Sequence, residues 1–353
     1  MPFLLPERTR VGCLGGESGL PGDIHTGEAI PSLRAQFVLN NTMYGNSVFS
    51  PASPQAQSIS HLSIIVGVVM FAILALITAL VLYAVVRFRS RAGGPEPPQV
   101  FGNSKLENTW TFGALLIVSV LFVLTVRVMH QSDPRLQPGE KADLVIIAHQ
   151  WWWEARYPLS GVVAANEIHI PVNKPWLVRL ESADVIHDWW VPDLGRKIDA
   201  VPGHPNHFWI QADKPGTYLG TCAEYCGVEH AWMRIRVIAQ PQAEFDAWQQ
   251  QQLKVPVAPS SGDAAEGYKL FNQLTCGNCH RVAGTPAQAA IGPDLTHVAA
   301  RQTLASGRLD NTPRNLAEWV SDPQTYKPGV HMPDFNFTPQ QVQELVSYLE
   351  TLQ

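Results

Sequence analysis

Leu62 to Val86 is a run of about 25 residues without a single charge. As a helix it crosses the roughly 30 Å hydrocarbon core of a bilayer, for which about 20 residues suffice. A buried helix of a soluble domain is the rival reading, and helices of that kind average only about 10–14 residues. A second apolar run starts at Trp110 and reaches Arg127, which is close enough to its end to snorkel toward the interface. Two spans so near each other predict a helical hairpin over 58–130, with helices at about 62–86 and 110–129. The intervening loop sets Arg87, Arg89, Arg91 and Lys105 against Glu96 and Glu107, so the positive-inside rule puts it in the cytoplasm. Both termini, and everything after the second span, are then expected outside the membrane.

Residues 1–57 show no periodicity and read as loop or disorder. Phe3-Leu4-Leu5 is too short for a signal-peptide core. Cys13 lacks the preceding apolar stretch that lipidation requires, and Met43 offers a later start. The formal net charge of −5 argues against nucleic acid as a partner.

From about 135 to 253 the pattern becomes short β-rich runs separated by Pro and Gly, among them Leu144–Ile147, Glu167–Ile170, Trp176–Leu180, Phe208–Ile210, Thr217–Leu219 and Met233–Ile238. Such spacing predicts an all-β sandwich or barrel, closed by a helix over 241–253. Within it, Cys222-Ala-Glu-Tyr-Cys226-Gly-Val-Glu-His230-Ala-Trp-Met233 gathers two thiols, an imidazole and a thioether in twelve residues. These are the soft and borderline donors that suit copper. A disulfide between the cysteines would leave His230 and Met233 without purpose, and zinc rarely takes a thioether. A further ligand is available upstream at His187, so the ligands are expected on two loops far apart in sequence.

Residues 254–262 carry Pro256, Pro259 and Ser260-Ser261-Gly262 and read as a linker. An amphipathic helix over Ala264–Phe271 then leads into Cys276-Gly-Asn-Cys279-His280, the attachment pattern of a c-type haem. The two thiols add to the haem vinyls and His280 becomes the proximal ligand. A bare Cys-x-x-Cys also serves redox dithiols and half zinc sites, but the adjoining His and the preceding helix favour haem. Met332 is the one methionine after the motif and the expected sixth ligand, with His331 and His297 as rivals. Thr338-Pro339 caps a closing helix over 340–352.

Together these residues resemble cytochrome c oxidase subunit II carrying a fused cytochrome c domain, from about residue 44 to the C-terminus. The resemblance implies three modules: a two-helix transmembrane anchor, an all-β Greek-key cupredoxin domain, and an all-α class I cytochrome c domain over 263–353. It implies a binuclear CuA centre bridged by Cys222 and Cys226, one copper completed by His187 and Met233, the other by His230 and the Glu224 carbonyl. Electron delocalisation over two sulfur-bridged coppers in a preformed site keeps reorganisation on reduction small. The Glu224 side chain would offer a magnesium ligand at the contact with subunit I. Asp193-Leu-Gly-Arg-Lys-Ile-Asp199-Ala-Val-Pro-Gly203 is similar to a family segment that faces subunit I, with Asp193 where a Ser is usual. Trp151, in Gln150-Trp151-Trp152-Trp153, takes the position of a surface aromatic through which electrons enter. Glu107, in Glu107-Asn-Thr-Trp110-Thr111, matches a carboxylate near a proton-path entrance, although a helix-start carboxylate explains it equally. Ile291-Gly-Pro293 resembles the segment whose Pro carbonyl orients the proximal imidazole.

The implied protein is subunit II of a proton-translocating respiratory oxidase in a bacterial plasma membrane. Its partners would be subunit I, subunit III, membrane lipid and a cytochrome c or similar donor, with oxygen chemistry confined to subunit I. The linker would let the haem domain dock and release at high effective concentration. A CuA-containing nitric oxide reductase subunit and a stand-alone membrane electron carrier use the same two centres and remain the alternatives.

Overall fold

The structure is a computed structural model that describes residues 47–353 apart from 90–92, 95, 97 and 134–138. Cys13, Met43, Arg91 and most of the extension read over 1–57 lie outside the described residues.

Both apolar runs sit inside longer helices, α1 (Pro54–Arg87) and α2 (Ser104–Ser132), each long and apolar enough to cross a membrane. The extra turns come from capping residues outside the apolar runs. Ser53 accepts the Ala56 N–H at 3.0 Å, and Pro54 enters the first turn, where it has no N–H to lose. Asn103 caps α2 by accepting from Leu106, while the Glu107 carboxylate accepts the Asn103 N–H at 3.0 Å. At about 1.5 Å per residue the 34- and 29-residue helices are about 51 and 44 Å long, well beyond the hydrocarbon core. Most of their side chains are exposed.

The protruding outer ends are bonded to the next domain. Ser53 Oγ donates to the Leu194 carbonyl, the Ala52 N–H donates to that of Asp193, and the Asp213 N–H donates to that of Ala52, each at 2.8 Å. At the end of α2, Arg196 pairs with Asp133. One loop, 193–196, thus holds both helices.

The β domain is a sandwich of two five-stranded sheets. The first contains β1 (Leu144–His149), β2 (Trp152–Tyr157), β3 (Val162–Ala165), β5 (Trp176–Ser182) and β8 (Asn206–Ile210), in the order β3-β2-β1-β5-β8. The second contains β4 (Glu167–Pro171), β6 (His187–Trp190), β7 (Ile198–Ala200), β9 (Gly216–Cys222) and β10 (Arg234–Gln240), in the order β4-β10-β9-β6-β7. Alternate residues of β1 (Leu144, Ile146, Ala148) and of β10 (Ile235, Val237, Ala239) fill the space between the sheets. Trp153, Trp189, Trp176 and Tyr157 pack with them. Four strands are not among the runs read from the sequence. Five of the six residues of β2 are buried, leaving no alternation to read, and β3, β6 and β7 are only four, four and three residues long.

α3 (Gln242–Gln252) closes the sandwich by seating Phe245 and Trp248 on Tyr157. Trp248 also stacks on His169 at 4.0 Å, and Gln240 Oε1 lies 2.7 Å from His169 Nδ1. Burial pulls His169 down to about 4, with the Gln240 hydrogen bond opposing. The unfolded chain therefore binds a proton near pH 6.5 that the folded domain refuses until about pH 4. Stability is level above that window and falls as pH drops through it, by on the order of 2–3 kcal/mol for this one group. His169→Phe keeps the stacking and removes the titration. Thermal unfolding at pH 7 and pH 4.5 should show a smaller acid loss in the variant than in the parent.

A largely exposed coil leads to the C-terminal domain of α4 (Gly262–Gln273), α5 (Pro313–Ser321), α6 (Pro323–Tyr326) and α7 (Pro339–Leu349). Thr338 and Gln341 form a reciprocal capping box at the start of α7. The helical reading missed a short hairpin, β11 (Thr303–Leu304) with β12 (Leu309–Asp310), whose turn runs through Ala305, Ser306 and Gly307 at φ 50, 58 and 80°.

Candidate metal centre and haem cleft

The sandwich brings the soft donors to one end, two of them at strand termini and the others on the connection between β9 and β10. His187 opens β6, Cys222 closes β9, and Met233 immediately precedes β10. Trp189 pairs with Cys222 in the β6–β9 ladder, which fixes the upstream histidine against the thiol strand. The expectation of two loops is corrected for His187 and Cys222, which the sheet pairing holds on strand ends, while the other donors lie on one connection as expected. Gly220 permits it, since a Cβ there would fall 2.3 Å from the Trp190 carbonyl oxygen.

Cys222 Sγ and Cys226 Sγ are 3.8 Å apart, far beyond the ~2.05 Å of a disulfide. His187 Nδ1 lies 3.9 Å from Cys222 Sγ and the Glu224 carbonyl 3.2 Å from it. His230 Nδ1 and Met233 Sδ lie 3.7 and 3.8 Å from Cys226 Sγ. Two donors tetrahedrally bound to one metal at about 2.2 Å are about 3.6 Å apart, so the set has the spacing of metal ligands. His187, Cys222, Cys226 and Met233 are buried. The hydrogen bond with Cys226, and His187 beside it, pull the Cys222 thiol well below the usual thiol range. The same partnership, then burial, pushes Cys226 up.

Supporting groups that no motif announces surround the donors. Asp184 Oδ1 sits 2.7 Å from His187 Nε2, which leaves Nδ1 facing the sulfur. Burial opposes charge on this ring, but Asp184 and Cys222 outweigh it and raise His187. The Cys226 carbonyl accepts from Gln150 Nε2 at 2.7 Å and from the Trp151 indole at 3.0 Å. A carboxylate three residues before a candidate histidine was the available signal for Asp184. Glu224 itself is exposed, its carboxylate accepting the Tyr225 N–H.

The C-terminal domain encloses an apolar cleft of about 1400 Å³ counted out to its open mouth. Cys276, Cys279 and His280 line it together with Met332. A tight turn, in which the Cys276 carbonyl accepts from Cys279 and His280, gathers the thiols and the imidazole. His280 Nδ1 lies 2.8 Å from the Pro293 carbonyl, so it donates there and leaves Nε2 free. Burial lowers His280 and favours its neutral form. Gly292 is required beneath the ring, because a Cβ would lie 2.6 Å from its Cε1. Gln324 holds the Met332 loop by donating to the Val330 and Met332 carbonyls. Of the rivals, His297 has both ring nitrogens against backbone carbonyls, those of Gln353 and Gln252. His331 lines the cleft and packs on Trp151 at 5.2 Å.

Trp151 is only 5% exposed and lines the same cleft, so it is not the surface aromatic the resemblance implied. The C-terminal domain covers it. Glu107 stays at the start of α2, remote in sequence from both clusters, with its carboxylate on the Asn103 N–H.

A two-helix anchor, a cupredoxin sandwich with clustered sulfur and nitrogen donors, and a helical domain holding Cys-x-x-Cys-His in an apolar cleft together define a membrane-anchored copper and c-haem protein. The chain belongs to the cytochrome c oxidase subunit II family, in a form with a C-terminal cytochrome c domain. Residues 159–240 match the family described as cytochrome c oxidase subunit II, periplasmic domain, and 264–353 match cytochrome c. The chain is 35% identical over 312 residues to cytochrome c oxidase subunit 2 of Alkalihalophilus pseudofirmus, covering 87% of this chain and 90% of that one. It is 34% identical to the corresponding subunit of a Bacillus species, over 75% and 80% of the two chains. The crystal structure of the periplasmic domain of subunit II of cytochrome oxidase from Bradyrhizobium japonicum is 36% identical, with a TM-score of 0.31, covering 32% of this chain and 95% of that one.

Proposed function

We propose that this chain is the electron-entry subunit of a proton-translocating respiratory oxidase, taking electrons from an external cytochrome c and delivering them to subunit I. The observation that carries the reading is the position of Trp151, which lines the haem cleft and donates its indole N–H to the Cys226 carbonyl. When bound, a covalent c-haem and a binuclear copper centre supply one-electron carriers on the two sides of that residue.

The chain's own residues prepare both places. Cys276 and Cys279 would hold the haem covalently, His280 would ligate it with its tautomer set by Pro293, and Met332 would complete it from the loop held by Gln324. Cys222, Cys226, His187, Met233, His230 and the Glu224 carbonyl would hold the coppers, with Asp184 keeping His187 aimed. The strand ends at His187 and Cys222, and the short connection to β10 that carries the rest, limit how far these donors can shift between redox states. The exposed Glu224 carboxylate would face subunit I and offer an oxygen ligand to magnesium there. With the cytoplasmic loop between α1 and α2, both cofactor domains would lie on the outer side of a bacterial plasma membrane, alongside subunits I and III. Glu107, at the inner end of α2, would stand near a proton entrance in subunit I.

The test is metal content and the reduced-minus-oxidised spectrum, from visible to near infrared, of the full chain purified with its partners. Two coppers and one covalent haem per chain, with turnover that consumes oxygen, are the expected result. Turnover of nitric oxide in place of oxygen would move the chain to a reductase. A haem without a near-infrared copper band would leave only an anchored cytochrome. Met233→Leu should alter the copper band and leave the c-haem spectrum intact, and Met332→Ala should do the reverse. Equal loss of both centres in either variant would show that the ligands are misassigned or the chain unfolded.

A further inference from the structure

The contact between the haem domain and the sandwich is built from buried polar groups, which is unusual for a domain expected to come and go on a tether. Glu167, at the start of β4, is 5% exposed. Its carboxylate accepts from the Gln302 N–H at 2.9 Å, and from the Thr303 N–H and hydroxyl at 2.8 and 2.9 Å. Those donors belong to the hairpin that interrupts the helical domain. Next to them, Arg236 donates to Gln302 Oε1 at 3.0 Å, and Ser306 Oγ donates to the Trp151 carbonyl at 2.8 Å. Glu167 also supplies part of the counter-charge for Arg301, which lines the haem cleft.

The second anchor is Lys327, which directly follows α6 and is 2% exposed. Its ammonium donates to the Trp151 carbonyl at 3.0 Å and to the Trp232 carbonyl at 3.3 Å, both on the sandwich. Glu229, itself 3% exposed, faces it electrostatically. Arg308 lies 4.0 Å over the Trp232 ring, closing the same face. Docking takes the Lys327 ammonium out of water, and the two sandwich carbonyls with the Glu229 charge replace that water, so the docked pose is favourable only where these groups meet it in register.

Resting on the electron-entry reading, we infer that Glu167 and Lys327 are positioning residues. They hold the haem domain in one docked pose, with Trp151 clamped between the haem cleft and the thiolate pair. Lys327 and Ser306 fix the Trp151 backbone from the haem side, while its indole fixes the Cys226 backbone on the other. The electron route is then set by a folded interface, and the linker serves only to connect.

The test uses the full chain with both centres loaded, in detergent, as parent, Lys327→Met and Glu167→Gln. Hydrogen exchange at the Gln302 and Thr303 amides reads docking, and flash-induced electron transfer from haem to copper reads the route. The visible and near-infrared spectra check that each centre is intact. In both variants, protection of those amides should fall roughly tenfold or more. The transfer rate should fall at least roughly tenfold as a fixed contact becomes a tethered search, with both spectra unchanged. Retained protection, or lost protection at an unchanged transfer rate, overturns the proposal. Should one variant fail to fold, the other still decides. If the parent lacks the copper band, the electron-entry reading fails instead, and the amide protection still reports whether the two anchors hold the domain.

Discussion

Cys226→Ser is expected to abolish copper binding while the c-haem spectrum survives. Cys226 Sγ is the hub of the donor set, with Cys222, His230 and Met233 all within 3.8 Å of it. A serine hydroxyl is harder, and it does not ionise at neutral pH to replace a thiolate donor. Removing such a ligand should cost more than the roughly 10–100-fold in affinity that changes behind the ligands cost. The Trp151 indole and the Gln150 amide donate to the backbone carbonyl at this position, which the substitution leaves in place, so the fold should persist. Elemental analysis with near-infrared absorption checks the prediction, and copper retained at the parental ratio would remove Cys226 from the centre.

Gly267→Ala should be the most damaging small substitution in the haem domain. The α4–α7 crossing is so close that a Cβ at Gly267 would lie 1.9 Å from the Glu344 carbonyl oxygen and 2.9 Å from Tyr348 Cβ. Both helices must move apart, and Tyr348 then loses its edge contacts with Tyr268 and Phe271. Alanine gains roughly 1 kcal/mol in helix propensity over glycine. The steric term, at or above the upper end of the roughly 1–3 kcal/mol for overpacking, wins. Thermal unfolding should move down by several degrees and covalent haem yield should drop, while copper content per folded sandwich holds. A Tm at or above the parent's would mean the helices separate at no cost.

The parts of this molecule that sequence exposes best are those whose chemistry is local. Four candidate copper donors and the haem thiols with their imidazole each fall within a dozen residues, so donor type and spacing speak together. The apolar spans are equally plain, although their capping residues extend them beyond the runs themselves. His187 could be offered only as one further donor upstream, because a lone histidine on a short strand carries no pattern, and its assignment to a particular copper came from the resemblance. Trp151 was misplaced for a physical reason. Its burial is imposed by a domain whose contacts, Ser306 and Lys327, lie 155 and 176 residues away. Glu167, 135 and 136 residues from its partners, looked like an ordinary strand carboxylate. Polar anchors of this kind are single residues joined only by the folded interface, and no periodicity marks them.

The loop at 193–196, which grips both helices, bears on assembly in the membrane. A soluble domain swinging on its anchor would lose rotational freedom on meeting a membrane partner, and that loss would be subtracted from the affinity. Here Ser53, Ala52 and Asp133 have already settled the orientation during folding. The metal end of the sandwich stands at a set height and tilt above the bilayer before any encounter, so association in the plane of the membrane becomes a search in two translations and one rotation.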